Sequence, residues 1–136
     1  MSLTGSCLCG AVRYEANAEP VFSGHCHCSD CQKETGGGHA TIAAVPDATV
    51  TISGPTAHFS KPGDSGKANE RTFCSKCGST LFSRPQAIAG LTLLRVGTLD
   101  NPSAIAPGVS VYTKRALAWD QPSPGLPGFP EMPPPS

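Results

Sequence analysis

Seven cysteines in a chain of 136 residues fall into three groups. Cys7 and Cys9 are spaced C-x-C, and Cys26, Cys28 and Cys31 are spaced C-x-C-x-x-C. Cys74 and Cys77 are spaced C-x-x-C and followed by Gly78. Such a turn lets two thiolates converge on one ion, and the glycine permits the tight backbone that follows. The odd count leaves one thiol over in any disulfide framework. The N-terminus, MSLTGSCLCG, lacks the basic start and apolar run of a secretion signal. The expected location is therefore cytoplasmic, where thiols stay reduced and clustered cysteines more often bind metal. Zinc, with four tetrahedral ligands and an affinity for thiolate, is the expected ion.

Several partitions of the seven ligands are possible. Pairing Cys7 and Cys9 with Cys74 and Cys77 makes one closed site of four thiolates across a long loop. Closing that loop through metal turns binding energy into folding energy. Cys26, Cys28 and Cys31 can then share a second ion with one position vacant, the arrangement of catalytic rather than structural zinc. Other readings stay open. His27, His39, His58 or Asp30 can close the second site and make it another staple. The cluster can also be metal-free and redox-active, or hold iron–sulfur, although the spacings fit no common cluster run. His25 and His27 flank the cluster, but alternation along an extended chain turns His27 away from the ion. A supporting or surface role is expected for both.

The elements that position these groups are short. The chain has 15 Gly and 14 Pro, only 15% charged residues and 6% aromatics. Gly and Pro punctuate helices and strands, so many turns and short strands are expected, not a helical bundle. Residues 10–16 alternate as a half-buried strand. The segment 22–39 reads as loop or a short helical turn. Residues 40–45 and 49–53 are β-branched runs joined by Pro46, Asp47 and Ala48, a hairpin by sequence. A short strand is expected at 57–61, a polar turn at 62–67, and a hairpin from 70–74 and 79–84. The most apolar strand lies within 88–97, and a last one within 109–116. The fold class is all-β with one short helix.

From Gln121 the composition shifts, with seven prolines in the last sixteen residues. The expected division is a zinc-binding domain over 1–120 and a Pro-rich tail over 121–136. Residues 130–136 read as disordered, and Leu126 and Phe129 are candidates to dock the front of the tail. Net charge is zero, with 10 basic and 10 acidic residues. This argues against nucleic acid as a partner, since phosphate binding needs a basic footprint. No run is long and apolar enough to suggest a membrane partner.

Taken in order, these motifs resemble the glutathione-dependent formaldehyde-activating enzyme family, which includes the domain of centromere protein V. The matching pieces begin with Gly5-Ser6-Cys7-Leu8-Cys9-Gly10 and Cys26-His27-Cys28-Ser29-Asp30-Cys31-Gln32-Lys33. Arg71-Thr72-Phe73-Cys74-Ser75-Lys76-Cys77-Gly78-Ser79, Gly97-Thr98-Leu99-Asp100 and a late Trp119 before Gly125-Leu126-Pro127 follow. The resemblance implies an Mss4-like fold of short, coiled antiparallel sheets around two zinc ions. It implies Cys7, Cys9, Cys74 and Cys77 as the structural site and Cys26, Cys28 and Cys31 as the catalytic one. It also implies condensation of glutathione with formaldehyde, formally a carbon–sulfur lyase reaction. One departure stands out: relatives often carry a His before the late Trp, where this chain has Val109-Ser110-Val111-Tyr112.

A three-thiolate zinc with a vacancy can bind a substrate thiol and favour its deprotonated form. The expected partners are glutathione or a related thiol and a small aldehyde. Gly37, Gly38 and His39, just after the cluster, are the candidate substrate-binding loop, where backbone N–H groups can approach an anion. Lys33 is a further candidate for a carboxylate. The alternative is a zinc-stapled interaction module without catalysis, with the Pro-rich tail as its ligand segment. Exposed edge strands leave monomer and homodimer both open.

Overall fold

The computed structural model describes residues 2–133. In chain order the strands are β1 (Leu3–Ser6), β2 (Arg13–Ala16), β3 (Phe22–Cys26), β4 (Ala40–Pro46), β5 (Val50–Ser53), β6 (Thr56–Pro62), β7 (Ala68–Cys74), β8 (Thr80–Pro85), β9 (Leu91–Arg95) and β10 (Val109–Val111). One α-helix, α1 (Ser29–Thr35), lies between β3 and β4. The fold is all-β, as expected.

The strands form two sheets. A three-stranded antiparallel sheet runs β1-β2-β5, with Gly5 opposite Tyr14 and Tyr14 opposite Ile52. A seven-stranded sheet runs β10-β3-β4-β9-β8-β7-β6. All its pairs are antiparallel except β10 with β3, which is parallel. That close parallel approach needs Gly24, because a Cβ there would stand 2.5 Å from the Val109 carbonyl oxygen.

The hairpin expected from 40–45 and 49–53 does not form. β4 pairs with β3 and β9, whereas β5 joins β2 in the other sheet. Burial gives the reason. Four consecutive β4 residues, Ile42–Val45, are buried, so this strand needs partners and cover on both faces. β5 is mostly exposed and suits an edge. The link is a 3-10 turn at Asp47–Thr49, tied by the Thr49 hydroxyl to the Pro46 carbonyl at 2.7 Å. The segment 22–39 is likewise more regular than its sequence suggests, since it holds β3 and α1. The last strand stops at Val111. Tyr112 takes a left-handed backbone (φ 55°), and a 3-10 turn follows at Thr113–Arg115.

The main core packs Leu3, Val12, Tyr14, Leu81, Phe82 and Leu94 between the sheets and embeds Cys7 and Cys74. A smaller cluster of Cys31, Ala40 and Ile42 lies beneath α1. The helix is also fixed by charge. Glu34 accepts from Arg71 Nε at 2.6 Å and from Arg95 Nε at 2.6 Å, and all three side chains are nearly buried. Burial raises the Glu34 carboxyl, but the two guanidiniums outweigh it and hold the carboxyl below the usual range.

The front of the tail docks through its carbonyls, which proline keeps although it has no N–H to give. Ser110 donates to the Pro127 carbonyl at 2.9 Å, and Phe129 donates back to Ser110 at 2.9 Å. Thr113 donates to the Phe129 carbonyl at 3.0 Å, and Leu126 and Phe129 are half-buried. The contact reaches Glu131, whose carboxylate pairs with Lys114. Disorder expected over 130–136 thus does not describe Pro130 and Glu131, and residues 134–136 lie outside the described residues.

Candidate metal centre and adjoining cleft

Two distant segments meet at the first thiol group. β1 runs into a turn that carries Cys7 and Cys9, and β7 ends on Cys74 with Cys77 in the turn before β8. The four Sγ atoms lie within 4.8 Å of one another. Cys9 Sγ stands 3.6 Å from Cys7 Sγ and 3.8 Å from Cys74 Sγ. Four thiolates around zinc in a tetrahedron are spaced by about 3.8 Å, given Zn–S bonds near 2.3 Å. The donor set therefore fits zinc. Backbone N–H groups also point at the sulfurs. Val12 donates to Cys7 Sγ at 3.3 Å, and Lys76 and Cys77 donate to Cys74 Sγ at 3.3 and 3.4 Å. The turn closes with Gly78 at φ +79°. The Ser79 hydroxyl, 3.2 Å from Cys77 Sγ, helps lower that thiol to about 5.

The second group is local. β3 ends on Cys26, Cys28 caps α1, and Cys31 is buried in its first turn. Their Sγ atoms also lie within 4.8 Å of one another. Cys28 Sγ accepts the Cys31 N–H at 3.3 Å. The neighbouring thiols of Cys26 and Cys31 and the N–H groups of Cys31 and Asp30 draw Cys28 down to about 2, against the pull of burial. A second charge in the triangle is then resisted. The contact with Cys28 pushes Cys26 up to about 12, and Cys26 and Cys28 together raise Cys31. Three thiols that resist joint ionisation need a cation to be charged together, so this donor set also fits zinc.

None of His27, His39, His58 or Asp30 joins the three thiols in one group. His58 Nδ1 is 3.0 Å from Thr72 Oγ1, and Asp30 accepts from Lys61 Nζ at 2.6 Å. His25 Nδ1 is 2.8 Å from Thr41 Oγ1. His27 is buried, and its ring groups with His39 and Asp120 rather than with the three thiols.

The loop Gly37, Gly38 and His39 is partly occupied from within. Gly37 donates its N–H to Thr35 Oγ1 at 3.1 Å. Gly38 faces Asp120, where a Cβ would stand 2.1 Å from Oδ2. His39 Nδ1 is 2.5 Å from the same oxygen. Asp120 was not a candidate from sequence, where it reads only as the neighbour of Trp119. Arg95 was also missed. Its signal is a charged residue inside an otherwise apolar strand, and its guanidinium lies near enough to Cys31 and Cys26 to respond to their charge.

A cleft of about 460 Å³ opens between the end of α1 and the Cys74–Gly78 turn. Its walls include Glu34, Thr35, His39, Thr41, Ser79 and Arg95. The three thiols are not in those walls, though Cys31 lies one turn of α1 before Glu34. No helix among the described residues is long and apolar enough to cross a membrane.

Comparison with known proteins bears on the family and the fold. The profile of the family described as "Glutathione-dependent formaldehyde-activating enzyme" matches residues 2–115. A curated protein of Halomonas elongata, named "Putative glutathione-dependent formaldehyde-activating enzyme", is 37% identical over 93 residues. That match covers 60% of this chain and 55% of the relative, so the chain spans about half of its length. A solved protein of Rhodobacter sphaeroides shares the fold with a TM-score of 0.58 at 19% identity, over 76% of this chain and 91% of that one. On the family match, which takes in all three cysteine groups, the chain belongs to the glutathione-dependent formaldehyde-activating enzyme family.

Proposed function

We propose that the protein joins a small thiol, glutathione by family, to formaldehyde or another small carbonyl at the Cys26–Cys28–Cys31 group. The observation that carries this reading is the separation of the cysteines into a set of four and a set of three. A set of four satisfies a tetrahedral ion, and a set of three does not. Zinc held by Cys26, Cys28 and Cys31 would supply an open coordination position that favours a substrate thiol in its deprotonated form.

The reaction forms one bond from sulfur to the carbonyl carbon. The C=O double bond opens, and the proton lost by the thiol ends on the carbonyl oxygen. The read-out is a carbon–sulfur lyase equilibrium that runs in both directions. The chain's residues supply position and charge. Cys28 is fixed at the start of α1 by the Cys31 N–H. The buried Arg95 guanidinium lies near enough to Cys26 and Cys31 to offset part of their negative charge. Thr35, Thr41 and Ser79 line the adjoining cleft, and their hydroxyl oxygens, already bonded within the chain, can accept a further hydrogen bond from the amide groups of a peptide-like thiol. Glu34 also faces that cleft, but its charge is matched by Arg71 and Arg95. The substrate loop Gly37–His39 remains part of the proposal through the ring of His39, since Gly37 already spends its N–H on Thr35.

The test is the rate at which glutathione, formaldehyde and their adduct reach equilibrium, with and without protein. The expected result is acceleration that Cys28→Ser abolishes while the fold persists. Equal rates with wild type and buffer, across a panel of small aldehydes, would remove the proposal.

A further inference from the structure

β3 presents different chemistry on its two faces. Cys26 lies opposite Ala40, on the face covered by α1. His25 lies opposite Thr41 on the other face, and His27 follows two residues later. His27 is 1% exposed, yet its Nδ1 has no hydrogen-bond partner among the described residues. A buried imidazole nitrogen left unmatched costs free energy, so a missing partner is expected there. The nearest carboxylate oxygen, Asp120 Oδ2, is 3.9 Å away, too far for a hydrogen bond. The same oxygen is 2.5 Å from His39 Nδ1.

The surroundings hold these groups in place. Asp120 is fixed by its N–H to the Leu117 carbonyl at 2.9 Å, and Gly38 leaves the space its carboxylate fills. The His25 ring packs edge-on against His39 with centroids 4.8 Å apart, and the His27 ring lies 5.1 Å from it. The donor atoms of His27, His39 and Asp120 lie within 4.8 Å of one another. His39 and Asp120 side chains are 31% and 23% exposed, so two of the three groups reach solvent.

We infer that His27, His39 and Asp120 form a third metal site, of imidazole and carboxylate ligands, that takes a divalent first-row cation such as Zn²⁺ or Co²⁺. A hydrogen-bonded His39–Asp120 pair alone explains the short contact but leaves His27 Nδ1 unmatched. A cation held by all three gives His27 Nδ1 its partner, and it requires His39 Nδ1 and Asp120 Oδ2 to part to the roughly 3 Å that two ligands of one ion span. Two imidazoles and one carboxylate suit zinc, cobalt or nickel better than calcium or magnesium, and three ligands leave room for water or a further ligand. The site shares His39 with the cleft proposed for the substrate, but its metal content is read independently of the catalytic reading above.

The test uses full-length protein cleared of weakly held metal by brief dialysis against a mild chelator, then titrated with Co²⁺. Bound cobalt is counted by equilibrium dialysis, and its ligands are read from the visible and near-ultraviolet spectrum. One added equivalent is expected, with ligand-field bands and no thiolate-to-cobalt charge transfer. His39→Ala and Asp120→Asn should each weaken it by about tenfold or more with unchanged circular dichroism. Cys28→Ser should retain it. The partly exposed His39 and Asp120 are chosen because His27 is packed inside the fold. No added equivalent, cobalt that shows thiolate charge transfer, or equal affinity in both variants would overturn the inference.

Discussion

The two thiol groups draw on the chain in opposite ways. Cys9 and Cys74 stand 65 residues apart, and their contact ties the three-stranded sheet to the seven-stranded one. Cys26, Cys28 and Cys31 come from one short stretch where β3 gives way to α1. The first group sits at the main core, with Cys7 and Cys74 buried among its side chains. The second sits in a small satellite cluster under the helix. A long-range set removes loop entropy from the unfolded chain, whereas a local set removes little. On the proposed reading the first group serves stability and the second chemistry.

The largest expected break is Cys74→Ser. It removes a sulfur that receives two backbone N–H bonds at the centre of the fold. Loss of the cooperative thermal transition is expected, by circular dichroism, and strong chelation should do the same to wild type. Survival of a sharp transition would mean that the four thiols do not hold the sheets together.

Glu34→Gln comes next, since it leaves two buried guanidiniums without their carboxylate. A loss of about 3–5 kcal/mol is expected from denaturant titration. The effect is pH-dependent. The native Glu34 carboxyl is held below its ordinary value of 4.5. Its contribution is present above the ordinary value and is lost as pH falls through the lowered one. The gap between wild type and Glu34→Gln should therefore close in acid.

Cys28→Ser should change stability little and activity greatly, with a fall of at least about a hundredfold in thiol–aldehyde equilibration. A comparable loss of both would merge the two groups into one structural role. The smallest effect is expected for Lys114→Ala. Its partner Glu131 is exposed in the docked tail, and the melting temperature should not move.

The fold class and the cysteine grouping were legible because they rest on spacing and on punctuation by Gly and Pro. The hairpin at 70–74 and 79–84 was legible for the same reason, as its two strands are neighbours in sequence and in space. The pairing of β4 was not. Ile42–Val45 read as an ordinary β-branched run, and only its burial on both faces sends β5 to the other sheet. Asp120 was hidden because its role depends on His39, 81 residues earlier. Gly38 reads as part of a substrate-binding loop, and the fold also uses it to make room for that carboxylate. The partners of the tail were not legible, since prolines cannot donate to a ladder but Pro127 and Pro130 still accept from one.

The central claim is that the three-thiol group is open to a substrate thiol while the four-thiol group is closed. Native mass spectrometry of zinc-loaded wild type and Cys28→Ser, over rising glutathione, tests it most directly. The account predicts one glutathione on wild type, none on Cys28→Ser, and zinc retained by the four-thiol group in both. Wild type that takes no glutathione, or a Cys28→Ser variant that binds it equally well, would contradict the account.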